Sequence, residues 1–293
     1  MTILDDILRA RRARVPEWKR QRSWSALAED PIYAQPRRPM DTALRRYHAA
    51  GEGAGEPAVE RAIGRALDRA GLSEAAPSPP RPIRFLSEIK RASPSAGEIR
   101  PGTDAAAVAE AYRDAGASAI SLVTEEDFFR GRLEDLPLVR AAGLPVLMKD
   151  FLVDPYQVAL ARALGADAVL LIAAIEDRPL LRELREAARE LELQVLIEIH
   201  EAREAELAHE LLTEMTGVNN RDLRTFQVDL QVSASLLPLL PSSSVRLSES
   251  GIRTRDDVLR LQEIGFDALL VGESLMRAPD PGAALRQLRG EDP

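Results

Sequence analysis

The chain of 293 residues contains no cysteine. That excludes disulfide scaffolds, thiolate zinc sites, iron–sulfur clusters and cysteine nucleophiles together. Histidine occurs three times (His48, His200, His209), too sparsely for a His-based metal site. Aromatic residues make up 4% of the chain. The longest uninterrupted apolar run, Ala168 to Ile175, falls well short of the ~20 residues a membrane helix needs. No apolar opening segment resembles a secretion signal, so a soluble, cytoplasmic protein without membrane attachment is expected. The formal charge of −8 argues against a nucleic-acid partner held through phosphate contacts.

Two further scarcities carry positive information. Lysine stands only at Lys19, Lys90 and Lys149, against 36 arginines, and asparagine only at the adjacent Asn219 and Asn220. Arginine does not lose its proton in a protein, whereas a lysine can be tuned to exchange one. Biased codon usage with chance survivors is the alternative explanation.

The opening stretch reads as a helix with Ile3, Leu4, Ile7 and Leu8 on one face. Asp5 and Asp6 fall in its first turn, where the helix dipole favours anions. Arg9, Arg11, Arg12 and Arg14 are expected on its solvated face. From Asp30 to Pro82 prolines and glycines interrupt the pattern, with helical spacing between Ala58 and Ala70. The expected division is a helical extension over 1–82, carrying a Pro/Gly-rich insertion at about 48–82, followed by a catalytic domain over 83–293. The insertion is expected to be solvated; capping the barrel and self-association are the alternatives.

From Ile83 onward, short apolar runs alternate with amphipathic segments. Strands are predicted at Ile83–Ile89, Ala119–Val123, Pro145–Lys149, Ala168–Ile172, Gln194–Glu198, Thr216–Asn219, Val245–Ser248 and Ala268–Val271. Helices are predicted between them, including Ala105–Ala115, Pro155–Leu164, Pro179–Leu191 and Asp256–Ile264. A weak repeat (Gly116-Ala-Ser-Ala, Gly165-Ala-Asp-Ala, Gly265-Phe-Asp-Ala) places a helix-ending glycine just before a strand. Eight such units fit a closed α/β cylinder, the (β/α)8 TIM barrel, with an N-terminal helical extension. An open doubly wound sheet would normally carry a Gly-rich turn after its first strand, and Ile89-Lys-Arg-Ala-Ser-Pro-Ser is not one.

Barrel active sites lie where the strands end. The predicted ends present Glu88 and Lys90, on one face by period-2 alternation, then Lys149, Glu198, Asn219 and Glu249. Two of three lysines and both asparagines thus fall on one rim. A buried ion-pair ring is the structural alternative. Ser250-Gly251 and Gly272-Glu273-Ser274 are small-residue loops at positions where barrels commonly hold a phosphate, although two ordinary glycine turns would read the same way. Ser93 to Gly97 reads as a mobile loop able to fold over the site.

These segments resemble the indole-3-glycerol phosphate synthase family. The resemblance is carried by Glu88-Ile-Lys-Arg-Ala-Ser-Pro-Ser95, Thr124-Glu-Glu-Asp-Phe-Phe-Arg-Gly131, Lys149-Asp-Phe151, Glu198-Ile-His200, Gly217-Val-Asn-Asn-Arg-Asp-Leu223, Ser248-Glu-Ser-Gly-Ile252 and Val271-Gly-Glu-Ser-Leu-Met276. It implies a phosphorylated small-molecule substrate, 1-(2-carboxyphenylamino)-1-deoxyribulose 5-phosphate. The implied reaction is ring closure, decarboxylation and dehydration, without metal or other cofactor.

On that resemblance Lys149 is the general acid and Glu88 its salt-bridge partner. Glu198 is the general base, and Lys90 lies near the phosphate as a possible second acid. Asn219, Glu249 and Ser250 would bind hydroxyls and amine. Lys90, Ser93, Gly251, Gly272 and Glu273 would hold the phosphate. Phe129, Phe151, Leu170 and Leu223 would wall the aromatic ring, with core packing as the alternative for the two phenylalanines. Arg221 would contact substrate or brace Asn219, and His200 is expected behind the site or in solvent.

The chain departs from the family pattern at Ala96, Arg132 and Met148, where lysine, serine and arginine are usual. Substrate affinity and loop closure are where those departures would bear. A phosphoribosylanthranilate isomerase-like barrel is the competing enzyme, though its acid–base pair often includes cysteine. A retired, binding-only relative is the competing non-enzyme, and such a site has no need for so many desolvated charges. A monomer or weak homo-oligomer is expected.

Overall fold

A computed structural model of the chain describes residues 2–46 and 82–291. The proposed insertion, except Pro82, and the helical spacing at Ala58–Ala70 lie outside the described residues.

Eight parallel strands close on themselves: β1 (Arg84–Ile89), β4 (Ala119–Val123), β5 (Val146–Lys149), β6 (Ala168–Ile172), β7 (Gln194–Ile199), β8 (Met215–Asn219), β9 (Val245–Glu249) and β10 (Ala268–Val271). Each pairs with its neighbour in sequence, and β1 closes the ring against β10, so no edge is left unpaired. The predicted strands agree with these to within a residue at either end. The remaining two strands, β2 (Ala92–Ser93) and β3 (Gly97–Glu98), pair antiparallel. The stretch expected as a mobile loop is therefore formed as a small hairpin.

Helices begin and end where local chemistry directs. Asp154 caps Pro155–Leu164, with proline at the first helical positions, and Thr254 and Asp257 form a reciprocal capping box at the start of Arg255–Ile264. Gly165 and Gly265 end those two helices with φ of +92° and +107°, a conformation that costs a side-chain-bearing residue about 1 kcal/mol or more. The next strand follows at once.

Alternation along each strand sorts two apolar layers. Phe85 and Ile89, Val146 and Met148, Val169 and Leu171, and Val195 and Ile197 pack outward beneath the helices. Leu86, Leu147, Leu170, Leu196 and Leu247 fill the cylinder's interior. The same parity carries Glu88, Lys149, Glu198, Asn219 and Glu249 inward where the strands end.

The N-terminal segment reaches both ends of this cylinder. Helix α1 (Ile3–Gln21) is capped by a Thr2–Asp5 box, and its Ile3, Leu4 and Ile7 line the mouth. Helix α2 (Trp24–Ala28) follows and buries Leu27 in the outer layer. Helix α3 (Met40–Leu44) seals the base: Met40 and Leu44 join the interior cluster, and Gln194 at the start of β7 accepts from the backbone of Met40 and Asp41. Each such fully buried side chain stabilises the fold by roughly 1.5–3 kcal/mol.

Candidate active site

A cavity of about 480 Å³ opens where the strands end. Glu88, Lys90, Ser93, Phe129, Lys149, Phe151, Leu170, Glu198, Asn219, Arg221, Leu223, Glu249, Ser250, Gly251, Gly272 and Glu273 all line it, so the residues given an acid–base, substrate or phosphate role from the sequence meet in one place.

At its centre stands the Lys149 ammonium. Nζ lies 2.6 Å from Glu249 Oε2, 3.1 Å from Glu198 Oε2 and 3.9 Å from Glu88 Oε2. The expected Lys149–Glu88 pair is therefore the most distant of the three. Glu88 instead holds Lys90, with Nζ 2.7 Å from Oε1, because side chains two apart on one strand point the same way. Burial works against a charged Lys149, but Glu249, Glu198 and Glu88 outweigh it and hold its pKa above the ordinary lysine value.

The two carboxylates nearest Lys149 are driven apart by their surroundings. Burial raises Glu198, yet Lys149 and His200 more than reverse that, and it sits below the ordinary range. Glu249 is also raised by burial and further by the charge of Glu198; Lys149 offsets only part of this, and it sits above the ordinary range. Two acids sharing one ammonium cannot both ionise without mutual cost.

Two glycines make room for these acids. A β-carbon on Gly272 would stand 2.6 Å from Glu88 Oε1, and one on Gly217 would overlap Glu249 Oε1. Neither position accepts a side chain unless the neighbouring carboxylate moves.

The rest of the mouth divides by character. On one side the Phe129 and Phe151 rings pack against each other, centroids 5.9 Å apart and planes tilted by 39°. On the other lie the loops after β9 and β10, where Ser250 and Gly251 take φ of +67° and +83°. A serine in that region is strained and persists where its surroundings fix it. Here Asn220 fixes it: the buried side-chain amide donates to Ser248 Oγ, Glu249 O and Ser250 O. Asn219 lines the cavity and Asn220 braces the loop from behind. Asn219 Oδ1 accepts from the backbone N–H of Arg221, whose guanidinium reaches Glu273 at 3.4 Å.

Several expectations need correction. Arg11, expected in solvent, is 0% exposed. Of the two places expected for His200, the structure shows the one behind the site, with Nε2 3.4 Å from Glu198 Oε1. Met148 belongs to the layer under the helices, so its departure from the family pattern does not touch the cavity. Sequence reasoning did not place α1 over the mouth, nor Arg253 and Arg277 beside the two small-residue loops. For Arg277 a signal existed, since it follows Glu273 by four on one helix and pairs with it. No group of acidic or histidine side chains suited to a metal ion occurs among the described residues. Nor is any described helix long and apolar enough to cross a membrane.

Residues 49–288 match the family model for indole-3-glycerol phosphate synthase. The chain is 49% identical to the indole-3-glycerol phosphate synthase of Magnetococcus marinus over 211 residues, 71% of this chain and 79% of that one. It is 50% identical to that of Rhodopirellula baltica over 207 residues, 70% and 80% of the two chains. Among solved structures, 3-hexulose-6-phosphate synthase from Salmonella typhimurium superposes with a TM-score of 0.59 at 16% identity, covering 71% of this chain and 97% of that one. That likeness speaks to the barrel alone. The sequence matches speak to more, and with the motifs gathered around Lys149 they place the chain in the indole-3-glycerol phosphate synthase family.

Proposed function

We propose that the chain converts 1-(2-carboxyphenylamino)-1-deoxyribulose 5-phosphate into indole-3-glycerol phosphate, carbon dioxide and water, as a carbon–carbon lyase of tryptophan biosynthesis. The observation that carries this reading is the Lys149 ammonium, held within 3.1 Å of two carboxylates in a cavity with one aromatic wall and one rim of small-residue loops.

The substrate's anthranilate ring is walled by Phe129, Phe151, Leu170 and Leu223. Its phosphate rests on Lys90, Ser93 and the backbone N–H groups at Gly251, Gly272 and Glu273, with Arg253 and Arg277 adding positive charge nearby. Binding at both ends brings the ring carbon that bears the carboxylate against the ketone carbon.

The amine lone pair pushes electron density through the ring, a carbon–carbon bond forms, and the ketone's π pair moves onto oxygen. Lys149 delivers a proton to that oxygen. Its raised pKa keeps the ammonium charged until the oxyanion develops. The attack leaves a cationic nitrogen conjugated to the carbon carrying the carboxylate, so carbon dioxide departs and its bonding pair restores the ring. No external electron sink is required.

Dehydration completes the indole. The new hydroxyl leaves as water with a proton from Lys90 or Lys149. Glu198, held charged by Lys149 and His200, removes the proton from the carbon beside nitrogen. Asn219, Glu249 and Ser250 hold the hydroxyls and amine through both stages.

We also read the chain as a cytoplasmic monomer or weak homo-oligomer, in keeping with 29% charged residues and a net charge of −8. The deciding experiment follows indole fluorescence from purified protein and the aminodeoxyribulose phosphate with a chelator present. Steady product formation supports the reading, and its absence from folded protein overturns it.

A further inference from the structure

Arg11 is a buried cation in a helix that otherwise lies over the mouth, and it reaches three acids at once. Its Nε is 2.8 Å from Asp150 Oδ1, its Nη1 2.5 Å from Glu126 Oε2 and its Nη2 3.4 Å from Glu125 Oε1. Only a planar fork of several donors spans acids from two different loops in this way. A desolvated charge on this scale is retained only where its partners compensate it.

The acids are not isolated partners. Glu125 accepts from the backbone N–H groups of Asp127, Phe128 and Phe129, and so sets the turn that presents Phe129. Asp150 stands between Lys149 and Phe151. It accepts from Phe151 N–H at 2.7 Å and from the Thr124 hydroxyl at 2.5 Å. Burial pushes the Asp150 carboxyl up to about 6, and Arg11, with the Thr124 hydroxyl and the Phe151 N–H, offsets part of that rise. On its own helix, Arg11 follows Ile7 by four residues, and Ile7 lines the cavity with Ile3 and Leu4.

We propose that Arg11 is a positioning residue for the aromatic half of the substrate: through Glu125 and Asp150 it fixes α1, the turn bearing Phe129 and the strand end bearing Phe151 in one arrangement. This rests on the reaction proposed above and adds a determinant of ring binding that does not itself touch the cavity. Gly251, Gly272 and Glu273 of the phosphate rim belong to the loops after β9 and β10, which carry no partner of Arg11.

That asymmetry supplies the test. Arg11→Met and the isosteric Glu125→Gln are compared with the unaltered protein by direct binding of anthranilate and of inorganic phosphate, alongside steady-state kinetics, with circular dichroism confirming the fold at assay temperature. The expected result is anthranilate binding weakened tenfold or more in Arg11→Met and severalfold in Glu125→Gln. Phosphate binding stays within twofold in both, KM rises with the loss of anthranilate, and kcat stays within about threefold. Parallel loss of both ligands, or a lowered melting temperature with unchanged KM, overturns the proposal. Should Arg11→Met not fold, Glu125→Gln decides alone: undiminished anthranilate affinity in it overturns the proposal. Failure of the unaltered protein to turn over substrate would strike the reaction assignment instead, and the two failures are read from separate measurements.

Discussion

Glu249 stands 2.6 Å from Lys149, while Glu88, near the end of β1, stands 3.9 Å from it. The Lys149 ammonium is thus gripped from the opposite side of the barrel, and Glu88 keeps its own ion pair with Lys90. This division of labour sets the order of the mutational effects below.

Removing the ammonium should be the most damaging single change. Lys149→Ala is expected to lower kcat by three orders of magnitude or more, at the upper part of the about 10²–10⁴ range for a positioned general acid. The far-ultraviolet spectrum should remain that of the folded protein. Turnover near the unaltered rate would remove Lys149 from the proton-transfer step.

Neutralising either acid should move the alkaline limb of kcat/KM, and by different amounts. Burial lowers the Lys149 pKa and the three carboxylates raise it, Glu249 most. Glu249→Gln removes the strongest raising charge, so the limb shifts to lower pH. Glu88→Gln shifts it in the same direction but less, as the longer distance requires. A pH–rate series on both variants checks the order, and a larger shift in Glu88→Gln contradicts it.

Gly272→Ala tests whether the site needs an empty space behind Glu88. The added methyl would meet Glu88 Oε1 and its β-carbon, at 2.6 and 2.9 Å. Glu88 must then retreat from Lys90. A fall in kcat/KM of about ten- to a hundredfold is expected from an ångström-scale displacement, with the melting temperature little changed. Unaltered kinetics would mean that the Glu88–Lys90 pair is not used.

The His200 pair predicts a pH-dependent contribution to stability. Burial lowers the His200 pKa, but Glu204 and Glu198 raise it further, with Glu249 adding to them, and the net displacement is upward. A group raised on folding contributes stability that is fully present below its unfolded value and is lost as pH rises through its folded value. His200→Gln should therefore lower the melting temperature clearly at pH 5.5 and much less at pH 9. Equal losses at both would assign His200 a packing role alone.

Asn220→Ala should loosen the rim without touching substrate. The side-chain bonds to Ser248, Glu249 and Ser250 disappear; Ser248 Oγ keeps Ser233 and Glu249 O keeps the Asn220 backbone N–H, so Ser250 O and the Ser233 N–H are the groups that lose their partner, at about 1–3 kcal/mol each. Weaker inorganic phosphate binding with anthranilate binding retained is the expected outcome, read by titration.

Much of this site was legible because period-2 alternation is strict. Once the end of β1 is located, Glu88 and Lys90 must face inward together, and the same parity turns Lys149, Glu198, Asn219 and Glu249 toward one axis. What the linear pattern does not carry is partner choice across the cylinder. Which of three glutamates lies nearest Lys149 depends on barrel tilt and side-chain reach, and those are properties of the closed sheet. Arg11 escaped for a related reason. An arginine on a helix with acidic neighbours reads as solvated until the loop bearing Glu125 and Glu126 is seen to close over it. Asn220 was found at the rim, but its role as a brace depends on the positive φ of Ser250.

The chain crosses the barrel from top to bottom before its first strand is laid down, with α1 over the opening and α3 stopping the far end. A cut after residue 46 would therefore strip away two stoppers at once. The cylinder left behind would have water at both ends of its bore, so an engineered trimming of the front segment should be judged by solubility before it is judged by rate.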